Sequence, residues 1–304
     1  MTPELDLSTR LANVAGVVTA FHPTPHLVEN VASLLKQLST VVVVDDASGE
    51  GFDHIFGAVA EAGAEVLTLE SNSGIAAALN AGIARARTIA DVEHILTVDQ
   101  DSFLPAGYVQ KLLGASESAS SAGVRPGLIS PARIHGNPVK RAGTRHGVVL
   151  GREPIQSGLL IPTSTLDRIG NFWDGLFIDL VDTEYYFRAL DAGLPTVLAD
   201  TEFDHSLGTM VDARLFGRAV HVGGRNLQVR IAATWRYYYI FRNRILVGAR
   251  YARRHPAWVV GGVLTDLRHL AFVTVLAPGR IARLASAISG IADGVRGDSG
   301  RKHR

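Results

Sequence analysis

The sequence predicts an α/β fold: a mainly parallel central sheet flanked by helices, followed by a helical C-terminal extension. Three observations carry the prediction. Short apolar runs alternate with longer helical segments through the first 130 residues, and strands alternating with helices pair in parallel through right-handed crossovers. Four adjacent valines at residues 41–44 cannot form a half-exposed strand and require burial on both faces. Polar or acidic residues follow each of the first four apolar runs, and in such sheets ligands bind beyond the carboxyl ends of the strands.

The elements follow in order. Residues 14–19 form a first strand ended by His22-Pro23-Thr24-Pro25, and a helix-like stretch then runs to about Ser39. The valine run leads into Asp45-Asp46. Further strands are expected at 65–69 and 94–98, with a helix over 74–88 between them. Beyond an Ala/Ser-rich stretch at 116–123, strands are expected at 129–131, 148–150 and 157–161 and a short capped helix at 164–169. A helix over 180–192 stops at Gly193, with Pro195 beyond it. The final hundred residues read as mainly helical. The sequence has no repeat of 20–50 residues and no low-complexity linker.

Composition narrows the classes. The chain of 304 residues balances 30 Lys and Arg against 29 Asp and Glu, which argues against a nucleic-acid binder. With 47% hydrophobic and 19% charged residues, a large core is expected and wholesale disorder is excluded. The absence of cysteine excludes a disulfide scaffold, a thiolate metal site and a cysteine nucleophile, and fits a reducing compartment. The polar, acidic opening residues do not resemble a secretory signal.

The sharpest local feature is Asp99-Gln100-Asp101. Two carboxylates at this spacing, on a turn after a buried strand, can address a sugar hydroxyl and a hard cation. Mg²⁺ or Mn²⁺ suits one or two carboxylates plus phosphate oxygens and water. The plain alternative is a solvated turn capping the next helix. Asp45 and Asp46 suit either a turn or hydrogen bonds to a base or ribose. Asn72 and Gly74 suit a turn and a helix start, where Gly74 also admits a ligand close to the backbone. In Asp179-Leu180-Val181-Asp182-Thr183-Glu184 a carboxylate could complement a helix N-terminus or act as a general base, while Glu184 and Arg188 form an i,i+4 pair. His205 is a loop histidine or a metal ligand. Tyr237-Tyr238-Tyr239 with Arg242 and Asn243 reads as a packed aromatic face or a phosphate clamp.

Together these segments resemble glycosyltransferase family 2, inverting enzymes of GT-A fold, and within it the bacterial rhamnosyltransferase branch. The matching pieces are residues 43–48, 72–76, 78–82, 96–102, Ser157-Gly158, 177–189 and the Tyr-Tyr-Tyr to Arg242-Asn243 segment, spanning about 14–245. The resemblance implies that Thr19, Phe21 and His22, with Asp45 or Asp46, hold base and ribose, and that Asn72, Gly74 and Asn80 also line the nucleotide-sugar site. It places Asp99 near the ribose or sugar and Asp101 on a divalent cation, Mg²⁺ or Mn²⁺, with His205 a further ligand. Asp182 aligns with the catalytic base. Val181 stands where the family has Glu, which leaves Asp179 as the other choice. Ser157, Gly158, Trp173, Glu184 and Arg242 are implied acceptor or phosphate contacts. The implied donor is a nucleotide sugar, dTDP-rhamnose favoured, and the implied acceptor a cell-envelope glycan or polyprenyl-linked saccharide. The alternatives are a catalytically inactive nucleotide-sugar-binding scaffold and a haloacid dehalogenase-type phosphatase using Asp99.

The expected organisation is a catalytic domain over 1–245, with a nucleotide-sugar half at 14–131 and an acceptor half at 132–245, then an extension over 246–304. Residues 250–304 hold ten Lys or Arg against three Asp. Asp266, Arg268 and His269 interrupt the apolar stretch 256–278, the first two at about 2.5–3.5 kcal/mol each in mid-bilayer. The expectation is a helix lying on a membrane through 250–290, or packed on the catalytic domain or a partner subunit of a homo-oligomer. The expected location is cytoplasmic, at the inner face of the plasma membrane.

Overall fold

Every residue of β1 (Val14–Ala20) is buried, and in β2 (Thr40–Asp45) only Thr40 is not. The computed structural model describes residues 11–205, 209–215 and 218–302. The valine run is thus a strand covered on both faces, as its composition requires. β1 pairs in parallel with β2 on one side and β4 (His94–Asp99) on the other, and β3 (Glu65–Thr68) extends the sheet beyond β2.

Alternate residues of these strands face opposite layers. Val14, Val18, Val43 and Val98 share one core with Leu27, Val31 and Leu34 of α1 (His26–Leu35), Val59 of α2 (Asp53–Glu61) and Leu112 of α4 (Tyr108–Ser121). The other face receives α3 (Ile75–Ile89), which approaches so closely at Gly82 that a Cβ there would stand 2.4 Å from Val17 and 2.8 Å from Val44. Fully burying such valines contributes roughly 1.5–3 kcal/mol each.

Past β5 (Ser102–Phe103) the sheet becomes mixed. Its further strands are β6 (Leu128–Ile134), β7 (Asn137–Pro138), β8 (Arg141–Arg145), β9 (Val148–Gly151), β10 (Leu159–Pro162) and β11 (Thr196–His205). The order is β3-β2-β1-β4-β10-β6-β11-β9-β8, with β10 antiparallel to both neighbours and β6 parallel to β11. The short helix α5 (Thr163–Ile169) and α6 (Val181–Asp191) fall where periodicity places them. The sequence did not disclose β11, whose second half, Asp-Thr-Glu-Phe-Asp-His, has no apolar run. Nor did it disclose β8, all of whose residues are exposed.

By contacts the chain divides into a unit of Met1–Asp174 with Val181–Ser206, and a second of Gly175–Leu180 with Leu207–Arg304. The edge expected at residue 245 falls inside α7 (Arg236–Tyr251), which belongs wholly to the second unit. The final hundred residues are mainly helical, as expected, with the helices beginning at α7. Before them, Thr209–Asp212 pairs antiparallel with Gln228–Ile231, and His221–Val222 pairs with Arg225–Asn226 across Gly223-Gly224. Both glycines take positive φ, 58° and 78°, as a two-residue hairpin turn demands. α7 packs with α8 (Pro256–Leu276) and α9 (Arg280–Arg296) around Tyr237, Phe241, Val273 and Ala287. Buried Arg283 donates to the carbonyls of Val273 (2.8 Å) and Pro278 (2.7 Å), closing the C-terminal end of α8.

Candidate active site

The strand order reverses at β1: β2 and β3 lie to one side, β4 to the other. Such a switch point opens a crevice beyond the strand ends. Thr19 sits there, opposite Val44 on one side and Asp99 on the other. At the same exit Phe21 stacks on His22 with centroids 3.9 Å apart, and His22 stacks on Phe52 at 4.8 Å. Phe21 and His22 are exposed, and His22 takes a left-handed φ of 49° with its N–H donating to Ser48 Oγ (2.8 Å). An exposed aromatic stack at a switch point can receive a nucleotide base. Phe52 was not legible as a site residue; it arrives from the loop after β2.

Other residues expected to touch the nucleotide are engaged in holding these loops. Asp45 accepts from Ser48 N (2.8 Å), an Asx turn. Asp46 accepts from Ser73 N (2.6 Å) with one oxygen and from Gly74 N (2.8 Å) with the other, so it ties the exit of β2 to the N-terminus of α3. Both carboxylates are about 5% exposed. Asn72 donates to Asp46 O (3.3 Å). Asn80 donates to Phe172 O (2.9 Å) and the Asp174 carboxylate and accepts from Phe172 N (3.0 Å), which tethers the 172–174 loop. These contacts make Asp45, Asp46 and Asn80 builders of the site's walls.

Beyond β4, Gln100 fixes the turn. Its side-chain oxygen accepts from Phe21 N (2.8 Å) and its carbonyl from Asn30 Nδ2 (2.9 Å). Asp99 and Asp101 flank this anchor; Asp99 is half-buried and Asp101 exposed. Buried Gln156 donates from Nε2 to Asp99 Oδ1, and Ser157 Oγ accepts from Asp99 N (2.9 Å) and shares a hydrogen bond with Ser102 Oγ (2.7 Å). Ser157 is therefore a brace for Asp99, buried at 1% exposure. Gln156 was missed because an amide carries no motif; the signal was its place directly before Ser157-Gly158.

Gly158 is required by geometry. Its φ is 73°, and a Cβ would stand 2.6 Å from Tyr108 Oη and 2.8 Å from Phe203. Its N–H donates to Thr97 O and its carbonyl accepts from Tyr108 Oη, both under 3 Å. Gly158→Ala is expected to destabilise the fold by about 2–4 kcal/mol through strain and overlap, as measured by urea denaturation.

Asp99 and Asp101 fit a hard divalent cation that also takes phosphate oxygens and water. Among the described residues no group of three or more His, Asp or Glu converges on one point, so a cation here would complete its shell with water or ligand oxygens. His205 pairs through its backbone with Ser102; its side chain lies outside the described residues.

The acidic segment before and in α6 is sorted by its partners. Asp179 receives Arg236 through Nε (3.0 Å to each oxygen) and Nη2 (2.8 Å). Burial pushes the Asp179 carboxyl above its ordinary pKa, against the downward pull of Arg236. Glu184 is fully buried and paired with Arg188 (2.7 Å), so it braces α6 and is not an acceptor contact. Asp182 lies in the first turn of α6, half-exposed between buried Val181 and Thr183, and its Oδ1 accepts from Thr183 N (2.7 Å). Trp173 is likewise half-exposed.

Arg242 differs from the expected phosphate contact. It is 1% exposed and donates to the carbonyls of Gly175 (3.0 Å), Leu176 (2.9 Å) and Gly300. Asn243 donates to the carbonyls of Leu176 (2.8 Å), Ile178 (2.6 Å) and Asp179 (2.9 Å). This pair clamps a loop in which Phe177, Asp179 and Leu180 all take left-handed φ near 60°. Tyr239, stacked on Phe177 at 4.8 Å, packs the same loop.

With this geometry in place, likeness to known proteins is informative. Residues 17–148 match the model of Glycosyl transferase family 2. The chain is 25% identical over 304 residues to the dTDP-rhamnosyl transferase RfbF of Shigella flexneri, an alignment covering 95% of this chain and 97% of that protein. Among solved structures, S. aureus TarS 1-349 in complex with UDP-GlcNAc superposes with a TM-score of 0.58 at 15% identity, covering 94% of this chain and 81% of that one. The mannosyltransferase PcManGT from Pyrobaculum calidifontis, in complex with GDP-Man and Mn²⁺, gives a TM-score of 0.53 at 15% identity, covering 93% and 87%.

Proposed function

We propose that the chain, whose residues 17–148 match the model of Glycosyl transferase family 2, is an inverting, metal-dependent rhamnosyltransferase. On this reading it moves L-rhamnose from dTDP-rhamnose to a hydroxyl of a cell-envelope glycan or polyprenyl-linked saccharide. The donor assignment is supported by the likeness to the Shigella flexneri enzyme along nearly the whole of both chains.

The observation that carries the mechanism is the sorting of three carboxylates. Asp179 is held by Arg236 and Glu184 is fully buried beside Arg188; Asp182 stands partly exposed in the first turn of α6. Asp182 is the group suited to proton transfer, because a general base must reach the acceptor hydroxyl. The stack of Phe21, His22 and Phe52 would take the base of the donor, and Asp99, steadied by Gln156 and Ser157, a ribose or sugar hydroxyl. Asp101, with Asp99, would hold the divalent cation. When bound, that cation neutralises the charge that develops on the departing diphosphate.

Asp182 then accepts the acceptor's proton as its oxygen bonds to the anomeric carbon from the face opposite the diphosphate. The carbon–oxygen bond to the diphosphate breaks, dTDP leaves, and the anomeric configuration inverts without an enzyme nucleophile. Two results test this. Asp101→Asn should abolish the metal-dependent part of thermal stabilisation by dTDP-rhamnose while leaving the melting temperature of the ligand-free protein unchanged. Proton NMR of the product should show a configuration opposite to that of the donor; retention would contradict direct displacement.

A further inference from the structure

α8 is the one helix among the described residues long and apolar enough to cross a membrane, yet one side of it is already engaged. Asp266 pairs with Arg244 of α7 (2.6 Å), and His269 Nε2 lies 3.2 Å from Tyr237 Oη of the same helix. Asp266 and His269 therefore face α7, while Arg268 is exposed beside the outward apolar residues. Val260, Leu264, Leu267 and Val275 recur at helical spacing on the outer side, with Leu264 61% exposed. Phe272 broadens this face at 54% exposure.

α9 repeats the pattern. Its inner side is small, and Gly290 and Gly294 press against the backbone of Tyr238 and Arg242 in α7. Its outer side carries Ile281 at 85%, Ile288 at 65% and Val295 at 74% exposure. Large aliphatic side chains exposed in two helical stripes exceed what scattered surface residues explain, and they mark a surface that something covers.

The charges around the stripes identify the cover. Arg250, Arg253, Arg254, Arg268, Arg280 and Arg296 are all exposed. Among the described residues of 250–302 the exposed carboxylate is Asp298, which pairs with Arg296 (3.1 Å). A second copy docked face to face here would set one arginine-rich rim against another, with Asp298 as the exposed acid. A layer with apolar chains beneath anionic headgroups complements both the stripes and their rim. We propose that the second unit binds an anionic lipid surface through the outer faces of α8 and α9, lying on the bilayer rather than spanning it.

The test uses the full chain and vesicles. Co-sedimentation is measured with phosphatidylcholine vesicles containing about one-third phosphatidylglycerol and with pure phosphatidylcholine, at low and high salt. The expected result is binding to the anionic vesicles that weakens with salt and is at least about tenfold weaker to the neutral ones. The double variant Leu264→Asp with Ile288→Asp should lose about tenfold or more in binding with an unchanged melting temperature, because both residues are exposed in the protein alone. Arg253→Glu with Arg254→Glu should weaken anionic binding and leave folding intact. Equal binding to both vesicle types overturns the proposal, as does a folded protein that binds neither. A lipid-free dimer in analytical ultracentrifugation that Leu264→Asp dissociates overturns it in favour of a second copy.

Discussion

Asp182→Asn is expected to lower transfer about 10²–10⁴-fold, the range a positioned general base supplies, with donor affinity unchanged. The amide keeps the size of the carboxylate and can still accept from Thr183 N, so the first turn of α6 survives. What it loses is the ability to take a proton from the acceptor as the new bond forms. Asp179→Asn provides the contrast. It weakens the three-contact pairing with Arg236 on a loop already in left-handed backbone, so it should lower the melting temperature. Turnover by both variants, beside thermal shifts with dTDP-rhamnose, separates the roles. Full activity in Asp182→Asn with loss only in Asp179→Asn would transfer the base assignment to Asp179.

Arg242→Leu is the second large effect, and it concerns stability. The guanidinium is buried, serves three carbonyls, and lies 4.9 Å from the ring centroid of Tyr239. Without it the carbonyls of Gly175, Leu176 and Gly300 lose a charged donor; Leu176 keeps Asn243 Nδ2 and Gly175 keeps the Gly300 N–H, and a hydrogen bond to a charged group is worth roughly 1.5–3 kcal/mol. The clamped loop holds three non-glycine residues in left-handed conformation, a strain of about 1 kcal/mol or more apiece that persists only while the surroundings enforce it. A loss of about 3–5 kcal/mol by urea denaturation is expected. Arg242→Lys should recover little of it, because a point ammonium cannot replace a planar fork. A variant of undiminished stability with a raised KM for donor would restore Arg242 to the phosphate-contact role.

The parts of the fold written in local pattern were legible. Four valines announced a buried strand, and polar residues after four successive strands marked the sheet edge on which Asp99 and Asp101 stand. β11 was not legible, because its polar second half is made a strand by its partners β6 and β5. Partner choice was hidden for the same reason. Asp46 has the chemistry to hold a ribose, but its oxygens meet Ser73 and Gly74, residues 27 and 28 positions away. Asp179 and Arg236 are 57 positions apart, and so are Gln156 and Asp99. No spacing rule spans such intervals, so local chemistry named candidate carboxylates and only tertiary contacts show which of them brace loops.

The donor and its dependence on a cation are tested most directly by a thermal-shift titration. Purified protein is mixed with dTDP-rhamnose, UDP-sugars or GDP-mannose, each with and without Mg²⁺ or Mn²⁺. A ligand at a hundred times its Kd stabilises the folded state by about 2.7 kcal/mol, a readable shift. The predicted result is stabilisation by dTDP-rhamnose that requires the cation, with no comparable shift from the other sugars. Stabilisation by UDP- or GDP-sugars instead, or by dTDP-rhamnose equally well without metal, would contradict it.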